Sequence, residues 1–330
     1  MYVFIDESGS FTGYHQGSIS VVGALSIPDG NLPKLMRKYA RIRKGLPKED
    51  GQVKGRLLNP VELDRVVRLI KDRDSIFEVN AVDFGLHTVG GVATYQQQLV
   101  AELNQRIPTF PQFIRQRVTT AANYIPQIPA QLFLQALTTF DLMHRVIGNT
   151  SLYFSQRKPY ALADFKWTVD GKNADNVTKW ESWLEFYATG ALATLSARDP
   201  APRPEESEGF LFDFTYFDKG HTDEIGDQQG IDPVRLLRHV TFSPKIDAGL
   251  ELVDILTNAV RRTLRGELDE VGWANIHKLM IDRNGSYIKF IIFGPGPDVE
   301  LPAAYGPTVD RGFRTGGRPM FTHRNRAYLD

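Results

Sequence analysis

Three aspartates in this 330-residue chain stand where carboxylates can be gathered from distant parts of a fold. Asp6 ends the apolar run Tyr2-Val3-Phe4-Ile5. Asp170 ends the segment Asp164–Asp170, in which Asp164, Lys166, Thr168 and Asp170 share one face of a period-two strand; Phe165, Trp167 and Val169 share the other. Asp254 sits in Leu250-Glu251-Leu252-Val253-Asp254-Ile255-Leu256, where burying an acid is costly without a partner or a metal. On a helix, Glu251, Asp254 and Asn258 form one polar stripe, continued by Arg261 and Arg262. Carboxylates on two strand ends and one packed helix can hold two divalent cations about 4 Å apart for in-line displacement at phosphorus. Magnesium keeps several waters, so two or three carboxylates suffice. Each acid also has a plainer reading: Asp6 as a turn cap, Asp170-Gly171-Lys172 as a turn, and Asp254 as the partner of an arginine.

Two further residues bear on such a site. Lys54, in Gln52-Val53-Lys54-Gly55-Arg56-Leu57, could approach a phosphate closely, as could Arg56, although an exposed loop lysine would look the same. Glu7 follows Asp6, so in an extended strand the two side chains point to opposite faces, and only a turn or bulge would bring both to one site. Other chemistries fail their tests. There is no Walker-type loop, no dinucleotide-binding glycine pattern around Gly294-Pro295-Gly296 and no Gly-x-Ser-x-Gly elbow. The seven histidines lack metal-ligand spacing; His221, near Asp223 and Glu224, reads as part of a surface polar cluster. Asp164-Phe165-Lys166 matches the Asp-x-Lys half of a restriction-endonuclease site, a three-residue match that chance supplies often. With no cysteine, disulfides, thiolate zinc sites and cysteine nucleophiles are excluded.

The elements that would position these residues alternate. Strands are expected at residues 2–6, 18–27, 75–84, 164–170, 210–217, 239–242 and 287–293, and helices at 32–44, 60–71, 173–195, 233–238 and 249–265. Residues 85–148 are Gln-rich and helical, broken by Pro108, Pro111, Pro126 and Pro129, with one long helix near 131–146. The expected organisation is therefore a discontinuous core over 1–84 and 149–293, a helical insertion over 85–148, and a Gly-, Pro- and Arg-rich extension over 294–330. This is a mixed α/β fold.

Composition sets the outer limits. Hydrophobic residues at 42% and aromatics at 11% supply a sizeable core, and charged residues at 24% exclude global disorder. Lys+Arg and Asp+Glu both number 39, which excludes a uniformly basic or acidic protein. The balance is local, however. Residues 31–74 carry thirteen Lys/Arg against six Asp/Glu, whereas 205–232 carry nine acids against Lys219 alone. A basic stretch of this kind is either a solvated helix face or a phosphate-binding rim. The N-terminus lacks the basic and long apolar regions of a signal peptide, and no run of about 18 apolar residues follows. The expectation is a soluble cytoplasmic protein.

Met1-Tyr2-Val3-Phe4-Ile5-Asp6-Glu7-Ser8-Gly9, the Lys54-Gly55 step, Trp167-Thr168-Val169-Asp170-Gly171-Lys172 and Gly249-Leu250-Glu251-Leu252-Val253-Asp254 occur in this order. Together they resemble the family called domain of unknown function 3800, over roughly residues 1–265. The resemblance implies a ribonuclease-H-like fold, a mixed sheet flanked by helices, in which acids converge on Mg²⁺ or Mn²⁺. Carried over by position, the metal-binding acids are Asp6, Asp170 and Asp254; Glu7 and Lys54 join them as catalytic candidates, and Asp247 is a weaker one. Ser10 stands where an acid often follows Asp-Glu-Ser-Gly, and Arg56 where a small hydroxyl residue often follows Lys-Gly. The implied activity is a metal-dependent nuclease, with Lys54 and Lys172 offsetting phosphate charge. The alternative is a non-catalytic nucleic-acid- or protein-binding module of the same fold, in a phage-defence or mobile-element setting. DNA and RNA are both open as partners, and a protein partner or a second copy could dock on the helical insertion.

Overall fold

The computed structural model describes residues 1–110, 112–171, 179–198, 212–225, 228–243, 246–283, 285–293 and 306–323. Six strands form the main sheet: β1 (Tyr2–Ser8), β2 (Ile19–Ile27), β3 (Ile76–Asp83), β4 (Lys166–Asp170), β5 (Val240–Ser243) and β6 (Ile288–Phe290). Their spatial order is β6-β3-β2-β1-β4-β5. The first three strands are antiparallel neighbours, β4 lies parallel to β1 with β5 parallel to β4, and β6 is parallel to β3. The sheet is mixed, and β1 lies between β2 and β4.

Burial on both faces explains the near-continuous apolar strands. One face carries α1 (Leu32–Arg43), α2 (Pro60–Lys71) and the late helix, which pack with Phe4, Val21, Leu25 and Phe77. The α2 start has a full capping box, Asn59 accepting from the Glu62 backbone while Glu62 returns the bond. The other face carries α3 (Val89–Arg106), α4 (Gln112–Tyr124), α5 (Ala130–Ser155) and α6 (Lys179–Arg198), packed with Val3, Ile5, Val22 and Trp167. The helices of 85–148 thus cover one face of the sheet, and α5 runs past residue 148 to Ser155. Among the described residues no helix is long and apolar enough to cross a membrane.

Several expectations change. The segment expected as a strand over 210–217 is helical from Thr215 to His221. Phe210, Phe212 and Phe214 alternate as a strand would, but Phe217 and His221 are one helical turn apart and both pack on Phe165. Phe210 and the acidic residues before it lie outside the described residues. The last strand is shorter than expected, Ile288–Phe290. Part of the Arg-rich extension is structured: Gly306–Gly312 is helical, and Phe313 is buried against Trp273. Arg324 and Arg326 fall outside the described residues.

His221 is not in a surface cluster but in the core. It is fully buried, with Nε2 at 3.0 Å from the Leu162 carbonyl oxygen. Burial drops its imidazole to about 4, because the cation would be desolvated. The native state therefore holds a neutral ring, and its stabilising contribution is present above about pH 6.5 and lost as pH falls toward 4. NMR titration of the native protein is expected to leave His221 neutral at pH 5; a midpoint near 6.5 would contradict its burial.

Candidate metal centre

The sequence places the late helix α7 (Ala248–Leu264) along β1. Asp247 caps it, accepting from the Gly249 and Leu250 amides at 2.7 and 3.2 Å. Asp247 is thus engaged as a helix cap. Gly249 opens the helix because the Phe4 ring lies there: a Cβ would stand 2.2 Å from Phe4 Cε1. This close approach lays α7 directly on β1. From Phe4 onward, alternate β1 residues meet successive turns of the helix, and Asn258 Nδ2 donates to Ser8 Oγ at 3.3 Å.

Asp6 is buried, on the α7 side of β1 with Phe4 and Ser8. Asp254 is hydrogen-bonded to Asp6 and senses the charges of Asp170 and Lys54. Four residues separated by up to 248 positions therefore meet at one end of the sheet. Burial is the main reason the Asp254 carboxyl is held above the usual carboxylate range, and the negative charge of Asp170 pushes the same way. The Gly55 amide, Lys54 and the Asp6 hydrogen bond pull it back without reversing the shift. Asp170 ends β4, half-buried, beside Ser243 of the neighbouring strand.

The Lys54-Gly55 step has a structural reason. The Gly55 amide donates to Asp254 Oδ2 at 2.7 Å. A Cβ on Gly55 would stand 2.8 Å from Ile255 Cα and 2.9 Å from both Asn258 Cβ and the Asp254 carbonyl oxygen. Only glycine lets this loop lie flat on α7 and present Lys54 to the acids. Arg262 clamps the loop further by donating to the Leu58 carbonyl at 2.9 Å.

Glu251, the first residue of the polar stripe, does different work. It is buried and accepts four hydrogen bonds: Arg43 Nε and Nη2 at 2.6 Å each, the Tyr39 hydroxyl at 3.0 Å and the Val53 amide at 3.0 Å. Glu251 therefore ties α1 and the strand before Lys54 to α7. The sequence did not single out Arg43 or Tyr39; their only signal is a helical basic segment facing a later buried acid. Within the basic stretch, Arg43, Arg56 and Arg68 are engaged by Glu251, Glu49 and Asp64.

Glu7 is not brought to the same face. The β1–β2 register runs without interruption through Asp6↔Gly23, Glu7↔Val22 and Ser8↔Val21, so no bulge turns Glu7 toward α7. Lys166 begins β4, at the far end of the strand from Asp170, and Asp164 lies just before it; they engage Asp29 and Arg238 respectively. The Asp-x-Lys match belongs to a surface ion-pair group. Lys172 lies outside the described residues.

Asp6, Asp170 and Asp254 carry carboxylate oxygens, the donor type that a hard divalent cation takes. As placed, the acids share a hydrogen bond, and among the described residues no three carboxylate, imidazole or thiolate groups stand together in ligating geometry. Compared with protein-family models, curated proteins and solved structures, the chain matches none.

Proposed function

We propose that the protein is a divalent-metal-dependent nuclease with a ribonuclease-H-like fold, of the kind that the family resemblance implies. The observation that carries this reading is the convergence of Asp6, Asp170, Asp254 and Lys54 from two strand ends, a packed helix and a glycine-fixed loop. The sheet supports it: antiparallel β1–β2–β3 with β4 and β5 added parallel beside β1 puts the ends of β1 and β4 side by side.

Asp6, Asp170 and Asp254 would hold Mg²⁺ or Mn²⁺. When bound, the ion supplies Lewis-acid polarisation of the phosphoryl group and lowers the pKa of water. The chain's own groups do the rest. The Gly55 amide fixes Asp254, the Lys54 ammonium offsets negative charge developing on phosphate, and basic residues of 31–74 hold the nucleic-acid backbone. The test is cleavage of labelled single- and double-stranded DNA and RNA with Mg²⁺, Mn²⁺ or EDTA. Cation-dependent cleavage is expected, lost by two or more orders of magnitude in folded Asp6→Asn, on the scale of removing one transition-state contact. Unchanged cleavage in that variant would overturn the assignment; binding that survives EDTA without cleavage would favour the binding-module alternative.

A further inference from the structure

The outer face of α1 carries cations without the acids that would balance them. Lys34, Arg37, Lys38, Arg41 and the capping residue Lys44 are exposed, whereas Leu35 and Tyr39 on the opposite side are buried. By helix geometry these five fall within about a third of the circumference and span about 15 Å of the axis. No acid occurs in Leu32–Arg43. Among the described residues none of the five forms an ion pair, although Arg43, Arg56 and Arg68 in the same stretch each do. Of the six acids in 31–74, Glu49, Glu62, Asp64 and Asp74 are engaged by Arg56, the α2 capping box, Arg68 and Lys158. Only Asp50 and Asp72 are left to set against the five.

This arrangement works against the helix itself. Lys34 and Lys38, and Arg37 and Arg41, are like charges at i, i+4, and Lys34 in the first turn faces the positive end of the helix dipole. A face that is merely solvated mixes both signs. The stripe is also fixed in place. Arg43 ties α1 to Glu251 and, through Nη2 at 2.6 Å, to the Gly51 carbonyl in the hairpin that leads into Lys54. Arg41 and Lys44 therefore lie at the end of α1 that meets the Lys54 loop. The helix shows no aromatic ring to solvent, since Tyr39 is buried on Glu251. Single-strand binders stack bases on such rings, whereas a duplex presents its phosphates outward, about nine along 15 Å of axis.

We propose that α1 is the docking helix for a double-stranded nucleic acid, its five cations lying along the phosphate backbone and leading the strand to Lys54. The choice of a nucleic acid over another polyanion rests on the nuclease reading above. The preference for a duplex rests on the absence of an exposed ring on α1.

The test is fluorescence anisotropy of labelled DNA and RNA duplexes of about 20 base pairs, and of their single strands, with the full chain in EDTA. Duplex is expected to bind more tightly than single strand, and the tighter duplex identifies the substrate. Affinity should fall about a hundredfold between 50 and 200 mM salt, as for about four phosphate contacts. The double variant Lys38→Gln, Arg41→Gln should melt no lower than the parent, bind duplex at least about tenfold more weakly and flatten the log–log salt slope by about two. Arg37→Gln alone serves if that variant does not fold. The control pair Lys219→Gln, Arg311→Gln makes the same charge change at exposed positions on other elements and should bind like the parent. Tighter binding of the single strands, equal losses in the two pairs, or no saturable duplex binding at 50 mM salt would each overturn the proposal. Binding is read without metal, so stripe-dependent binding without cleavage would contradict the nuclease reading alone, and cleavage without stripe-dependent binding would overturn this proposal alone.

Discussion

Asp254→Asn is expected to melt higher than the parent protein at pH 7–8 in EDTA, by about 0.5–2 kcal/mol of unfolding free energy, while losing cation-dependent cleavage. The two effects share a cause. Burial and the Asp170 charge hold Asp254 above the usual carboxylate range, so folding makes its ionised form costlier than in the unfolded chain. The contribution of the protonated form is fully present below about pH 4 and is lost as pH rises through the raised value. Asparagine keeps an oxygen for the Gly55 amide and can donate Nδ2 to Asp6, but carries no charge. The gain should therefore shrink toward zero near pH 4. Thermal melts of both proteins across pH 4–8 check it; a variant less stable at pH 8 would show that Asp254 is held for the fold.

Glu251→Gln is expected to do the opposite, costing about 3–5 kcal/mol, a large part of a typical domain's 5–15 kcal/mol. The carboxylate accepts four donors, two on each oxygen. An amide nitrogen in place of one oxygen would face two of those donors and leave the Arg43 guanidinium without its anion. Urea denaturation of Glu251→Gln, Arg43→Ala and the double variant measures this. A coupling well above 1 kcal/mol is expected for the pair. Because Glu251 also anchors the Val53 amide, the loss should reach the Lys54 loop and lower cleavage in the molecules that remain folded. Near-neutral behaviour of Glu251→Gln would show that the tie is not what holds the loop on α7.

The contrast between Asp254 and Glu251 shows what the sequence could convey. Both lie on one helical stripe among leucines and valines, and spacing alone makes them equivalent. Long-range partners separate them: Arg43 and Tyr39 for one, Asp6, Asp170 and Lys54 for the other. Strands β1 to β4 and helices α1, α2 and α7 were legible from their apolar period, whereas the caps at Asn59 and Asp247 are seen only in the structure. The 210–217 segment failed because local alternation of phenylalanines competed with tertiary packing of Phe217 and His221, and packing won. The burial of His221 was hidden by its acidic neighbours in the chain, which say nothing of Phe165 and Leu162. The opposite orientation of Glu7 was legible, since period two leaves no choice without a bulge.

The most direct measurement is calorimetric titration of Mn²⁺ and Mg²⁺ into the full chain and into Asp254→Asn, each paired with a melt. Saturable binding to the parent is expected, with a stability gain of about 2.7 kcal/mol at 100 times the dissociation constant. Both the heat and the gain should be absent in the variant. Equal binding to the two proteins, or no binding to the parent even with DNA or RNA present, would contradict a metal centre built from Asp6, Asp170 and Asp254.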